Sequence, residues 1–358
     1  MSMRNLNPHR MFIEMANTHR PRHHFRGRTG LQFERWKKEA RPAVMECLGD
    51  FPAKVRPNPE LIADWTERGL RMQRWVIDVH PHLSASLLVN IPGDLKRGEK
   101  RPAILCWHGH GRWGKDPVMG DRRAPELVDS ITRHNYDYGF QMAKAGFVTY
   151  AIDWIGAGER HPEHKPNQTS GTGRDWCNLL YLQATMFGMT SISINVQHGR
   201  MATDFVCTLP QVDPKRLGVM GLSGGGTMTT WSYFCDPRFR AAEIMCYCDL
   251  WAAFGMRDIN YCGMQVAPGL YKLVDLPDLQ GLLAPKPLLM DIGIHDQCFL
   301  LDTALPAYRQ VERIYRAAGA SERLELDLHP NDHGWGGNKS VAFFRKHLGL
   351  KTTQNMPA

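Results

Sequence analysis

The chain has 358 residues, of which 43% are hydrophobic and 22% charged, and its formal net charge is +8. These proportions exclude a disordered, collagen-like or coiled-coil protein, and the length suits one large α/β domain with additions. No run of about 18 apolar residues exists to span a bilayer, and the N-terminal MSMRNLNPHRMFIEMANTHR lacks the apolar centre of a secretory signal, so a cytoplasmic protein is expected. The nine cysteines, none spaced CxxC, then read as reduced thiols.

Much of the positive charge lies near the N-terminus, in Arg4, Arg10, Arg20, Arg22, Arg26, Arg28, Arg35, Lys37, Lys38 and Arg41. No nucleic-acid motif accompanies it. The segment reads as an arm that docks on its own body or on a sister subunit, the second case making a homo-oligomer, and neither a nucleic-acid nor a membrane partner is expected. Residues 1–30 read as extended. Helical spacing follows over 31–48, with Gly49 as its stop and Pro42 as a kink or a division. A second helix is predicted over 59–70, with Asn58 as its N-cap and Pro59 in its first turn.

The period then changes to two. Trp75, Ile77 and Val79 alternate, as do Leu83, Ala85, Leu87, Val89 and Ile91, which predicts an antiparallel pair. Continuously apolar strands follow at 102–107, 147–152, 217–220, 241–246 and 288–292, and an alternating one at 322–328. Helices are predicted at 136–145, 176–209, 225–234 and 338–348. Apolar strands alternating with helices make a mostly parallel sheet covered on both faces, an α/β fold. The division expected is a basic arm with helices at 1–70, a catalytic body at 71–350 with a lid-like helical insertion at 160–209, and a tail at 351–358.

Gly221-Leu222-Ser223-Gly224-Gly225 has the pattern G-x-S-x-G between a predicted strand and a predicted helix. The chemistry calls for a serine on a tight turn, its hydroxyl above the sheet, with glycines where the strand and helix backbones approach. The N–H of Gly224 would face a developing oxyanion. A phosphate loop would need the lysine of GxxxxGK[ST], absent here. An acid and then a histidine should follow the serine. Asp296 lies just past the strand at 288–292, with Asp291, inside that strand, as its rival. His333 lies mid-loop after the strand at 322–328, with His329, beside a proline, as the weaker choice.

The second oxyanion donor should come from the loop His108-Gly109-His110-Gly111, with Gly109 also in the pocket. The loop DWIGAGER at 153–160 reads as a turn held by an Asp153–Arg160 pair, with Trp154 facing substrate, and Trp335 is a further pocket candidate. His108/His110, His80/His82 and His161/His164 are too sparse for a metal centre, so neither metal nor cofactor is expected.

VDPKRLGVMGLSGGG, HGHG after PAILCW, DWIGAGER, APKPLLMDIGIHD and DHGW together resemble the α/β-hydrolase superfamily. Within it they are most similar to the acetyl xylan esterase-related and dienelactone hydrolase-like branch, over roughly residues 70–348, and WKKEARPAVMECLGDFP resembles that branch's N-terminal helix. The resemblance implies Ser223 as nucleophile, Asp296 as acid, His333 as base, and the N–H groups of Gly224 and His110 as oxyanion hole. It implies a serine carboxylic ester hydrolase taking small or short-acyl esters such as acetylated sugars. Three departures stand out: dienelactone hydrolases use cysteine where Ser223 stands, the esterases of the branch that act on polymeric xylan are exported whereas a cytoplasmic protein is expected here, and Asp332 precedes the histidine where the branch often has glycine. Lactone, amide or carbon–carbon bond hydrolysis by the same triad, or a non-catalytic binding role, are the alternatives.

Overall fold

A computed structural model describes residues 4–161 and 176–350. Nine strands form one sheet in the order β1-β2-β3-β5-β4-β6-β7-β8-β9. Strands β1 (Glu60–Glu67), β2 (Leu70–His80) and β3 (Leu83–Pro92) are antiparallel, and β3 meets β5 (Val148–Ile152) antiparallel. Parallel pairs then join β4 (Arg101–Trp107), β5, β6 (Val212–Leu222), β7 (Phe239–Met245), β8 (Leu288–Gly293) and β9 (Leu324–His329). Every residue of β4, β5 and β8 is buried, as expected of strands covered on both faces. Leu105, Val219 and Ile244 pack into the core on one side, and Ile104, Met220 and Met245 into the core on the other.

The fold differs from the sequence reading at its N-terminal end. Residues 8–18 are not extended: α1 (Pro8–Thr18) forms there, with the Asn7 side chain accepting from the N–H groups of His9 and Arg10. The same Asn-Pro signal at 58–59 starts no helix. Asn58 donates instead to Asp78 at 2.8 Å, at the end of β2, and residues 60–67 pair with β2 as an edge strand. Ladder bonding to a neighbour already in place overrides a local capping signal. The sheet therefore begins before residue 71. The predicted helix at 31–48 is α2 (Gly30–Glu46), which is continuous through the solvent-facing Pro42 and buries Phe33, Trp36, Ala40 and Val44. The arm docks on its own body. The N–H groups of Arg22 and His23 donate to Lys272 and Leu273, the His24 ring meets the buried Asp278 at 2.9 Å, and Gln310 donates to the Phe25 carbonyl.

Helices α3 (Lys115–Val118), α4 (Pro125–His134) and α5 (Tyr138–Lys144) lie between β4 and β5, the first two unpredicted. The predicted stretch at 176–209 is two helices, α6 (Trp176–Met186) and α7 (Ser191–Val206). Helix α8 (Gly224–Cys235) follows β6. The carbonyls of its last turn accept from Lys286 (at Tyr233), from Arg41 of α2 (at Phe234) and from Arg200 of α7 (at Cys235). Cations at a helix C-terminus satisfy the orphan carbonyls and oppose the dipole's negative end. Short helices α9 (Leu270–Leu273) and α10 (Leu276–Gly281) lead to β8, and α11 (Leu301–Ala317) and α12 (Ser340–Leu348) complete the order, with a π-helical turn at Trp251–Arg257. Among the described residues no helix is long and apolar enough to cross a membrane.

Glu243 of β7 is fully buried. Its Oε1 accepts from Trp335 Nε1 at 2.9 Å and Ser340 Oγ at 2.6 Å. Burial, and then the charge of Asp291, push its pKa from 4.5 up to about 8. The folded chain therefore keeps a proton that the unfolded chain releases above pH 4.5, so stability should fall as pH rises from about 4.5 to about 8. Glu243→Gln, which carries no charge to bury, should flatten that fall and leave the variant more stable than wild type at pH 8. Melting temperatures across this range test it, and parallel curves would refute it.

Candidate active site

The carboxyl ends of β4, β6, β8 and β9 meet at one edge of the sheet, the edge where open α/β sheets place their sites. Ser223 stands between β6 and α8 with φ 60° and ψ −117°, a region that side chains other than glycine rarely adopt. Its N–H donates to the Met245 carbonyl at 2.8 Å. A Cβ at Gly221 would sit 2.5 Å from the Gly225 carbonyl oxygen, and one at Gly225 would sit 2.2 Å from that of Trp107. Glycine at both positions is what lets β6, α8 and β4 close on this turn. The Gly224 N–H, in the first turn of α8, has no acceptor within its own helix.

Asp296 follows β8 and is 4% exposed. Its Oδ1 accepts from the N–H groups of Cys298 (2.7 Å) and Phe299 (3.1 Å), and its Oδ2 from His333 Nδ1 at 2.8 Å. Burial alone would raise its pKa, but the His333 bond and charge and the two N–H groups outweigh it and hold the carboxyl below its ordinary value. The His333 ring stacks on Phe299, with centroids 5.8 Å apart. Its loop is tied to the end of α4: His134 Nδ1 bonds the His333 carbonyl at 2.8 Å and the Trp335 N–H donates to the His134 carbonyl at 2.9 Å. The rivals His329 and Asp291 are bonded to each other at 2.8 Å inside the protein, and Asp291 also accepts from the Gly336 N–H at 2.9 Å. They brace the loop that carries His333.

After β4, the buried His108 is held neutral, its pKa lowered to about 4 by burial. Its Nε2 accepts from the Trp154 N–H at 3.2 Å, which leaves Nδ1 to donate to the Gly109 carbonyl at 2.7 Å. The Gly109 N–H donates to the Tyr136 hydroxyl. Backbone N–H groups of this loop and of Gly224 are thus carried on braced segments beside Ser223: Ser223 Cβ lies 3.4 Å from where a Gly109 Cβ would be, and His110 Nδ1 lies 3.0 Å from where a Gly224 Cβ would be. Under the loop, the fully buried Lys115 ammonium bonds Asp153 (2.7 Å) and Glu159 (2.6 Å). Asp153 therefore pairs with Lys115. The guanidinium of Arg160, its expected partner, bonds the Asp153 carbonyl at 2.8 Å and His198 among the described residues, not the Asp153 carboxylate.

Ser223, His333, Gly109 and His110 line one pocket of about 430 Å³, together with Ser130, His134, Tyr136, Leu222, Ile259, Asn260, Tyr261, Cys262, Gln265, Cys298 and Phe299. None of these is Lys, Arg, Asp or Glu.

The sequence signature of the Abhydrolase family matches residues 2–333. The chain belongs to that family. The Abhydrolase chain is 22% identical over 300 residues to "Putative hydrolase YtaP" of Bacillus subtilis (strain 168), covering 83% of this chain and 94% of that one. It resembles the solved structure of a "putative acetyl xylan esterase (BF1801)" from Bacteroides fragilis NCTC 9343, with TM-score 0.72, 21% identity and coverage of 91% and 83% of the two chains. It also resembles a glucuronoyl esterase from Solibacter usitatus, with TM-score 0.62, 16% identity and coverage of 88% and 93%. These likenesses show an α/β-hydrolase fold.

Of the residues singled out from the Abhydrolase sequence, Ser223, His333, Gly109 and His110 reach the pocket, and Asp296 stands behind His333. Trp154 and Trp335 do not line it. Trp154 is 1% exposed beneath the rings of His108 and His110, and Trp335 is 2% exposed against Tyr138, its indole nitrogen turned to Glu243 and Ser340. Large aromatics near a motif are more often packing than binding residues. The sequence reading missed Tyr136, His134 and the whole wall at 259–265, which only tertiary packing brings to the serine. Phe299 carried a faint signal, three residues past Asp296. Of the sparse histidine pairs, His164 lies outside the described residues, as do the tail at 351–358 and residues 162–175 of the expected insertion.

Proposed function

We propose that the protein is a serine carboxylic ester hydrolase for small, uncharged esters with a short acyl group, acetylated sugars among them. The observation that carries the reading is the His333 Nδ1–Asp296 Oδ2 bond of 2.8 Å, with His333 opening onto the pocket that holds Ser223 on its positive-φ turn. Ser223 Oγ attacks the ester carbonyl carbon as His333 Nε2 takes its proton, and Asp296 stabilises the imidazolium. The tetrahedral oxygen is held by the N–H groups of Gly224 and His110. Collapse expels the alcohol, which takes the proton from His333. Water then gives a proton to His333 and attacks the acyl-Ser223, and the acid leaves as Ser223 recovers its proton. None of the described residues of the lining is Lys, Arg, Asp or Glu, which favours a neutral substrate, and the names of the structural relatives support an ester bond.

The test is turnover of p-nitrophenyl esters from acetate to decanoate, with a fluorophosphonate probe and peptide mapping. Acetate should be turned over fastest, with a fall along the series, and the probe should label Ser223. Absent turnover, or labelling at another residue, would overturn the reading.

A further inference from the structure

Three side chains that the proposed chemistry does not use as acid, base or nucleophile converge beside the pocket, two of them in its wall. They are the imidazole of His110 and the thiols of Cys177 and Cys262. Their donor atoms all lie within 4.8 Å of one another, and His110 Nε2 is 3.1 Å from Cys262 Sγ. The three come from the loop after β4, the first turn of α6, and the segment before residue 263. Packing explains the meeting. The Gly263 N–H donates to Asn178 Oδ1 at 2.9 Å, and a Cβ at Gly263 would sit 2.3 Å from Tyr181 Cβ and 3.1 Å from the Cys177 carbonyl oxygen. Glycine there lets the start of α6 lie directly on this segment. On the other side, the Trp154 ring supports His110 at 4.9 Å between centroids.

We propose that His110, Cys177 and Cys262 bind one divalent metal ion of the zinc class, with the fourth coordination position facing the pocket. One imidazole nitrogen and two thiolates are the donor types that such ions favour. Tetrahedral bonds of about 2.3 Å to sulfur and about 2.0 Å to nitrogen set the donors roughly 3.5–3.8 Å apart, a spacing that small side-chain rotations reach from here. An entry path exists, since His110 is exposed and Cys262 lines the pocket. Two other groupings of this kind occur among the described residues: Cys246–Asp291–His329 is wholly buried around an Asp–His bond, and Cys246–Asp296–His333 contains the pair assigned to catalysis. Both thiols must lose protons to coordinate, so binding releases protons and tightens with rising pH. A bound ion would pin the loop bearing the His110 N–H and tie it, with the Cys262 wall of the pocket, to the start of α6. Metal should therefore lower turnover reversibly, a consequence that rests on the hydrolase reading above.

The test is a titration of the reduced full-length protein with cobalt(II). One equivalent should give a near-ultraviolet thiolate-to-cobalt band and the visible bands of a tetrahedral site, both displaced by zinc. Cys177→Ser and Cys262→Ser should each weaken cobalt binding at least tenfold, while Cys207→Ser, outside the cluster, should not. Zinc should suppress p-nitrophenyl acetate turnover by the wild type but not by Cys177→Ser, whose turnover with chelator should equal the wild type's, because Cys177 does not line the pocket. No band at one equivalent, an unchanged band in Cys177→Ser, or a Cys177–Cys262 disulfide in protein isolated without reductant would overturn the site. A band without loss of turnover would overturn its control of the pocket. Failure of the hydrolase reading would appear separately, as no turnover with or without metal, and would leave the cobalt result standing.

Discussion

Ser223→Gly is expected to remove p-nitrophenyl acetate turnover while making the protein more stable. Loss of the attacking hydroxyl should lower kcat by about 10⁴- to 10⁶-fold, leaving what binding and the oxyanion donors supply alone. The gain in stability comes from the backbone. At φ 60° and ψ −117°, serine carries strain that glycine does not, a difference of roughly 1–3 kcal/mol. Glycine's greater freedom in the unfolded chain offsets roughly 0.5–1 kcal/mol of it. The remainder should raise Tm by up to about 3 °C in a domain this large. Ser223→Ala should lose the same activity without that gain, because alanine inherits the strain. Turnover that survives in either variant would refute the nucleophile, and equal melting temperatures would refute the strain.

Asp296→Asn should cost about 10⁴-fold in kcat with the fold intact. The argument is in the bonding around the carboxylate. Its Oδ1 holds the N–H groups of Cys298 and Phe299, and only an oxygen can accept them. An asparagine would keep its oxygen there and turn its amide N–H₂ toward His333. The ring nitrogen facing it must then become an acceptor, which drives the imidazole proton to Nε2, the atom that has to take the proton of Ser223. Stopped-flow kinetics with a fluorophosphonate should show slow labelling, and imidazole ¹⁵N shifts should report the reversed tautomer. A variant with wild-type kcat would remove Asp296 from the mechanism.

The parallel half of the sheet was legible because each strand is a short apolar run bounded by turns, and burial on both faces demands that composition. The G-x-S-x-G turn was legible because backbone clashes at Gly221 and Gly225 leave no other residue type open. Asp296 and His333 could be placed by chain order and by their position past strand ends. Position alone could not show that Asp291 and His329 form a buried pair of their own. The edge strand β1 was misread because its Asn-Pro start carries the same local signal as α1. Which signal prevails depends on a partner, β2, that local sequence does not encode. The wall at 259–265 was invisible for the same reason, and so was the meeting of Cys177 with Cys262, residues far apart in the chain.

The cations that close the far end of α8 bear on how portable the catalytic body is. One of them, Arg41, belongs to α2, and another, Arg200, to α7. The helix that Ser223 immediately precedes is therefore anchored, at its last turn, by a segment near the N-terminus. Cutting the chain at residue 71 would delete Arg41, strip the Phe33–Val44 face from the core and leave β2 as a bare edge. The residues that look like an appendage in the sequence are part of the unit that must be inherited, transplanted or recombined whole.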